Sequence, residues 1–278
     1  PLDAADGSGN TPLYLAASNR QIIVATALLE AGASANTYGP GAMPPLHVAI
    51  SNQDLPMFEL LLNMRADVNL VTIDGHNALH AAMKARCCES QLHDVEKRGT
   101  DQEASGALLA IALALVPQTA DVDAAAQDGQ TALGAAAIAG IPELVEALLG
   151  RGAAVDGTAY GGATPLGLAA QCGQVHAVEL LLARRADPSQ SDLAGQTPLH
   201  RLARWGQDQD LRRAEWLPSW HRSVGRAEAA RMLLAARANV DCLDRAGRTP
   251  LLLASEVPAC AATAPEHFAV VATLLESR

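Results

Sequence analysis

The sequence predicts an all-α fold: a solenoid of stacked helix-turn-helix units with β-hairpin loops projecting along one edge. Three observations carry this expectation. A short motif returns along the chain, starting at Thr11, Pro44, Asn77, Thr131, Thr164, Thr197 and Thr249 in the forms TPLY, PPLH, NALH, TALG, TPLG, TPLH and TPLL. The steps between starts are 33, 33, 54, 33, 33 and 52 residues, so four keep one period and two exceed it by 21 and 19. Composition agrees: 49% of the 278 residues are hydrophobic but only 3% are aromatic, and alanine supplies much of the apolar content. Small side chains let helix axes approach closely, and stacked units bury their faces against neighbours without one central core. The third observation is local. In DLAGQTPLH, residues 192–200, Gly195 allows the left-handed backbone of a tight turn. Thr197 can cap the free amides of a helix start, and Pro198 brings a preset φ to the first helical position.

Taken in order, the opening LDAADGSGN matches the end of a hairpin whose own repeat is not present, and the chain starts at Pro1 without an initiator Met. It reads as a fragment or processed part of a longer protein. Repeat one then gives an inner helix over 11–17 and an outer helix over 22–30, closed by Gly32. Repeat two follows the same plan, with Pro56 tolerated in the first turn of its second helix. Repeat three carries an insertion at about 86–106, ARCCESQLHDVEKRGTDQEASG with its flanks, whose charge and glycines read as a solvated loop. Repeats four and five are regular. Repeat six carries the second insertion, about 207–225, with Trp205, Trp216 and Trp220 in or beside it. The seventh repeat stops after its second helix at Leu274-Leu275-Glu276. The whole of 1–278 reads as one domain. The C-cap position falls on Gly32, Arg65, Thr119, Gly152, Arg185 and Arg237. At the four non-glycine positions either a left-handed residue costs about 1 kcal/mol, or the helices end differently.

A period of 33 with T-P-L-H, an alanine-rich first helix and a second helix ending in Leu-Leu resembles the ankyrin repeat family, and the resemblance runs from end to end. It implies that the motif histidine, kept at His47, His80 and His200 and replaced by Gly134 and Gly167, hydrogen-bonds hairpin backbone. It also implies a protein-interaction scaffold or adaptor. The partner, another protein, would lie in a concave groove of hairpin tips and exposed first-helix positions. On this sequence the matching helix positions are small until Arg204 and Trp205, and the tips add Tyr38, Ile73, His76, Tyr160, Leu193, Arg245 and Arg248. The alternative is a substrate-recognition domain of a larger enzyme or host-directed effector whose catalytic part lies outside this chain. Two lysines against eighteen arginines fit the effector form of that alternative, and also fit GC-rich codon usage.

Residues 1–130 contain 15 acidic and 6 basic side chains, whereas 197–278 contain 9 acidic and 11 basic. The arginine-rich repeat six therefore suits an acidic patch on the partner. A net charge of −10 opposes nucleic acid, and no apolar run is long enough for membrane insertion. No phosphate-cradling loop, nucleophile elbow, zinc-protease motif or C-x-x-C is present, so neither catalysis nor a cofactor is expected. Cys87, Cys88 and His93 lack a second ligand pair with metal spacing. Five cysteines in a chain of this length point to a reducing, cytoplasmic setting, with Cys172 and Cys242 free.

Overall fold

The computed structural model describes residues 1–89, 101–204, 225–256 and 265–277. They fall into two compact units, Pro1–Asp128 and Gly129–Arg278. The first holds α1 (Pro12–Ser18), α2 (Ile22–Glu30), α3 (Pro45–Ser51), α4 (Leu55–Asn63), α5 (Ala78–Glu89) and α6 (Asp101–Leu115). The second holds α7 (Ala132–Ala139), α8 (Pro142–Arg151), α9 (Pro165–Cys172), α10 (Val175–Ala183), α11 (Pro198–Ala203), α12 (Arg226–Ala235), α13 (Pro250–Ser255) and α14 (Pro265–Glu276). Among the described residues the fold is helical. The hairpin loops are closed by single backbone bonds, such as Thr72 to His76 and Asp192 to Gln196, and pair into no strand ladder.

The motif threonines start the inner helices. The hydroxyls of Thr131, Thr164 and Thr249 accept the backbone N–H three residues on, at 3.1–3.2 Å. Such caps are each worth about 1 kcal/mol. Thr197 forms a capping box with His200. At Pro44 there is no hydroxyl, and α3 starts without a side-chain cap. Behind the caps, the inner helices pack small residues on every side: all eight residues of α9 and seven of α7 are buried. This is how an alanine-rich chain builds its buried layers with few aromatics. The first leucine of the motif is sequestered in repeat after repeat, at Leu13, Leu46, Leu79, Leu133, Leu166 and Leu199.

Successive repeats are joined by a ladder of side-chain caps that the sequence analysis did not anticipate. The Oδ1 atoms of Asp3, Asn36 and Asp156 accept the backbone N–H of Ser34, Asp67 and Asp187, each 31 residues later, at 2.8–3.0 Å. Asn69 does the same for Ala120 across 51 residues.

Three outcomes have physical reasons: the first decides between the two helix endings left open by the sequence, and the other two depart from expectation. Three arginines at the C-cap position do adopt the left-handed conformation: Arg65, Arg185 and Arg237 have φ of 62, 64 and 65°. In each case the next residue's N–H reaches back across the last turn, as Ala186 does to Leu181 at 3.0 Å, satisfying a carbonyl that would otherwise be orphaned. Thr119 instead stays in the turn, donating its N–H and hydroxyl to Leu115. Arg185→Gly should therefore raise stability by about 0.5–1 kcal/mol in urea unfolding, and no gain would mean that the Arg185 side chain contributes packing of its own. Second, helix enters the first insertion from both sides, to Glu89 and from Asp101, because those flanks lack proline and carry good helix formers. Third, α14 opens 15 residues after α13 opens, at Pro265 against Pro250, whereas α1 to α2 and α7 to α8 take 10. Repeat seven thus contains a short excursion of its own that the spacing of motif starts could not reveal.

Candidate partner-binding surface

Four hairpin tips are held from within by a side chain five residues before the motif start, Asp6, Thr72, Asp192 and Asp244, whereas Gly39, Ala126 and Ala159 offer none at that position. Asp192 Oδ1 accepts the N–H groups of Ala194 and Gln196, and Asp244 Oδ1 those of Ala246 and Arg248, at 2.8–2.9 Å. Neighbouring tips are then tied by backbone bonds: Gln127 N–H to Asp74, Leu193 N–H to Gly161 and Arg245 N–H to Ala194. These loops are consequently presented in register, and their outward side chains form rows.

The motif histidines fix the tips to the helices. His47 Nε2 donates to the carbonyl of His76 at 3.1 Å, and His200 Nε2 to that of Arg248 at 2.9 Å. Both accepting residues immediately precede the next motif start. The other ring nitrogen of His200 is met by Thr197 Oγ1 at 2.9 Å, and that of His80 lies 2.7 Å from Asn77 Oδ1. His47 differs because Pro44 supplies no hydroxyl, and its Nδ1 is buried without a hydrogen-bond partner. Burial lowers the His47 pKa to about 4 and lowers that of His200 as well. These imidazoles are neutral structural donors, with proton transfer disfavoured.

The residues expected at the partner surface fall into distinct settings. Ile73 and Leu193, at equivalent tip positions, are 67% and 66% exposed, and Tyr38 is 44% exposed. Arg245 is exposed beside them. His76 is half-buried, its ring 6.0 Å from that of His80. Arg204 is half-buried and donates to Gln196 Oε1 at 3.0 Å. Arg248 is engaged within its own hairpin: Nε and Nη2 reach Asp244 Oδ2 at 3.0 and 2.9 Å, and Nη1 reaches Glu256 at 3.3 Å. Burial works to raise the Asp244 pKa, but these bonds outweigh it and hold the carboxyl below its ordinary range. Tyr160 opens the turn Tyr160–Gly162, and its side chain lies outside the described residues, as do Trp205, Trp216, Trp220, His93 and the Cys87 and Cys88 thiols.

Two features escaped sequence reading. Arg201 links repeats five and six, donating from Nε to Asp192 Oδ2 at 2.9 Å and from Nη1 to Gln171 Oε1 at 2.7 Å. The only sequence signal was an arginine following the motif histidine. In the first unit, a cavity of about 420 Å³ opens between the tips and inner helices of repeats two and three, lined by Met43, Ser51, Asp74, His76, Lys84 and Ala85 among others. Among the described residues, no cluster of three or more His, Cys, Asp or Glu side chains is placed to hold a metal ion, and no helix is long and apolar enough to cross a membrane.

Models of ankyrin repeats match residues 103–192 (three copies), 28–82 (many copies) and 8–38 (a single repeat). The chain belongs to the ankyrin repeat family. An ankyrin repeat protein of Acanthamoeba polyphaga mimivirus is 28% identical over 116 residues, 42% of this chain and 14% of that protein. The human transient receptor potential cation channel subfamily A member 1 is 37% identical over 79 residues, 28% of this chain and 7% of the channel. The chain thus spans a small part of the length of these relatives. Among solved structures, the human ASB11 ankyrin repeat domain aligns with a TM-score of 0.62 at 21% identity, over 97% of this chain and 98% of that one. The ankyrin repeat domain of Bcl-3, a member of the IκB protein family, gives 0.63 at 23%, over 96% and 99%. At these identities the likeness concerns fold. Within this ankyrin fold, the side chains at the hairpin tips differ from repeat to repeat, while a capping side chain recurs in four of the seven hairpins.

Proposed function

We propose that the chain is a protein-recognition scaffold that captures another protein on the concave face formed by its hairpin tips and inner helices. Ankyrin repeat domains mediate protein–protein interaction, and the observation that carries the reading here is that large apolar side chains stand exposed on the hairpin tips of each unit, Tyr38 and Ile73 in the first and Leu193 in the second. Large apolar groups held rigidly in water lose little further entropy on binding. The second unit contributes Tyr160, Arg204, Trp205, Arg245 and Arg248 to the proposed recognition residues, and the first contributes His76. Arginine beside tryptophan is the composition of interface hot spots, and an acidic patch on the partner complements it. Because Arg201 and Arg248 are already paired with Asp192 and Asp244, the exposed Arg245 carries most of that complementarity.

The test is affinity capture of the partner followed by titration against the Arg204→Ala/Trp205→Ala variant. Binding should weaken at least tenfold, about 1.4 kcal/mol, with the helical circular dichroism signal unchanged. Parallel loss of helicity and binding would make Trp205 a core residue, and unaltered binding would remove repeat six from the surface.

A further inference from the structure

The first unit contains 15 acidic and 6 basic side chains, almost the whole of the chain's net charge of −10. Its groove between repeats two and three has a specific chemistry. The cavity of about 420 Å³ lies within the size range of ligand pockets, roughly 300–1,000 Å³. Met43, Ala81 and Ala85 give it an apolar floor, and Ser51, Gln53 and Thr72 add hydroxyl and amide groups. Asp74 stands exposed at the lip, and the backbone bond from Gln127 to Asp74 brings the next tip, which carries the exposed Asp128, alongside. The cationic wall residue is Lys84, half-buried on α5.

We propose that this groove captures an extended, net-basic peptide segment of a partner protein, its basic side chain at the Asp74 lip and an aliphatic side chain on the Met43–Ala81–Ala85 floor. The inference rests on the protein-recognition reading above and names the chemistry of its ligand. Acidic potential over the unit concentrates cationic segments near it, and short-range contact with the tip carboxylates then selects among them. Lys84 disfavours a second basic residue on the floor, so that position goes to the aliphatic side chain. The rigid hairpins leave most of the ordering cost to the peptide.

The experiment is selection of a random linear peptide display library on the immobilised full chain, followed by affinity measurement with a synthetic peptide of the enriched consensus. The expected consensus pairs a basic with an aliphatic residue. Its affinity should fall about tenfold or more in Asp74→Lys and in Ala85→Trp, which fills the cavity, and should weaken as salt rises. Arg204→Ala/Trp205→Ala should leave it intact. Circular dichroism establishes that both groove variants fold, and Asp74→Asn replaces Asp74→Lys if the latter does not. An acidic consensus, or binding retained in both groove variants, overturns the proposal. Enriched peptides lost only in the repeat-six variant overturn it while leaving the recognition reading standing. Absence of any enrichment, with no partner captured from lysate, overturns both.

Discussion

Acidification from about pH 7 to about pH 4 is expected to remove about 3 kcal/mol of stability through His47 alone. Its pKa is lowered from 6.5 to about 4, chiefly because burial penalises the charged ring, with His76 and His80 opposing a further positive charge. The unfolded chain therefore binds this proton first. Stability is unaffected above about pH 6.5, falls as pH drops below that value, and stops falling near pH 4, where the folded state also protonates. A difference of about 2.5 pKa units corresponds to about 3 kcal/mol. The cause is specific: a charged His47 would need an acceptor at Nδ1, and Pro44 leaves that atom without a partner. Urea unfolding across the pH range should show His47→Gln less stable near pH 7 but converging on the wild type as pH falls. His76, His200 and the carboxylates are common to both proteins and cancel in the difference. Curves that stay parallel would mean that His47 is not the group titrating.

Gly225→Ala should be among the most damaging small substitutions, costing roughly 3 kcal/mol. Gly225 has φ of 148°, and an added Cβ would sit 2.6 Å from the carbonyl oxygen of Gly173, a backbone atom that cannot swing aside. Strain at φ and collision add. The residue immediately precedes α12, whose first side chain, Arg226, donates to the carbonyl of Gln171. Moving Gly225 therefore disturbs the joint between repeats five and six. Gly150→Ala provides the contrast, since nothing lies within 4 Å of its Cβ and it sits inside α8. That change should stabilise by about 0.5–1 kcal/mol through helix propensity. Similar midpoint shifts for both variants in chemical denaturation would refute the assignment.

Repeat starts, threonine caps and buried motif leucines could be read directly from the sequence because each is encoded within a few residues. Tyr38, Ile73 and Leu193 were legible as exposed tips for the same reason. What escaped depends on residues far apart or on competition between forces. The caps from Asp3, Asn36 and Asp156 need partners in the following repeat. At Arg65, Arg185 and Arg237 the sequence left two helix endings open, and the left-handed one comes with a backbone bond across the last turn. Arg248 looked like a free tip cation, yet the Asp244 carboxylate four residues earlier in the same hairpin claims it. The helical flanks of the first insertion were hidden by its polar composition, which describes solvent exposure and not backbone state.

The ladder of caps also says what the long insertion costs. Asn36 and Asp67 are joined across 31 residues, and Asn69 and Ala120 across 51, by bonds of the same 2.8 Å length. For the unfolded chain, closing the longer span adds only about 0.4 kcal/mol, because loop entropy grows with the logarithm of length. Once both ends of a repeat are clamped to their neighbours, evolution can lengthen the segment between its helices almost freely, which makes that edge a place where new sequence can be acquired without renegotiating the stack.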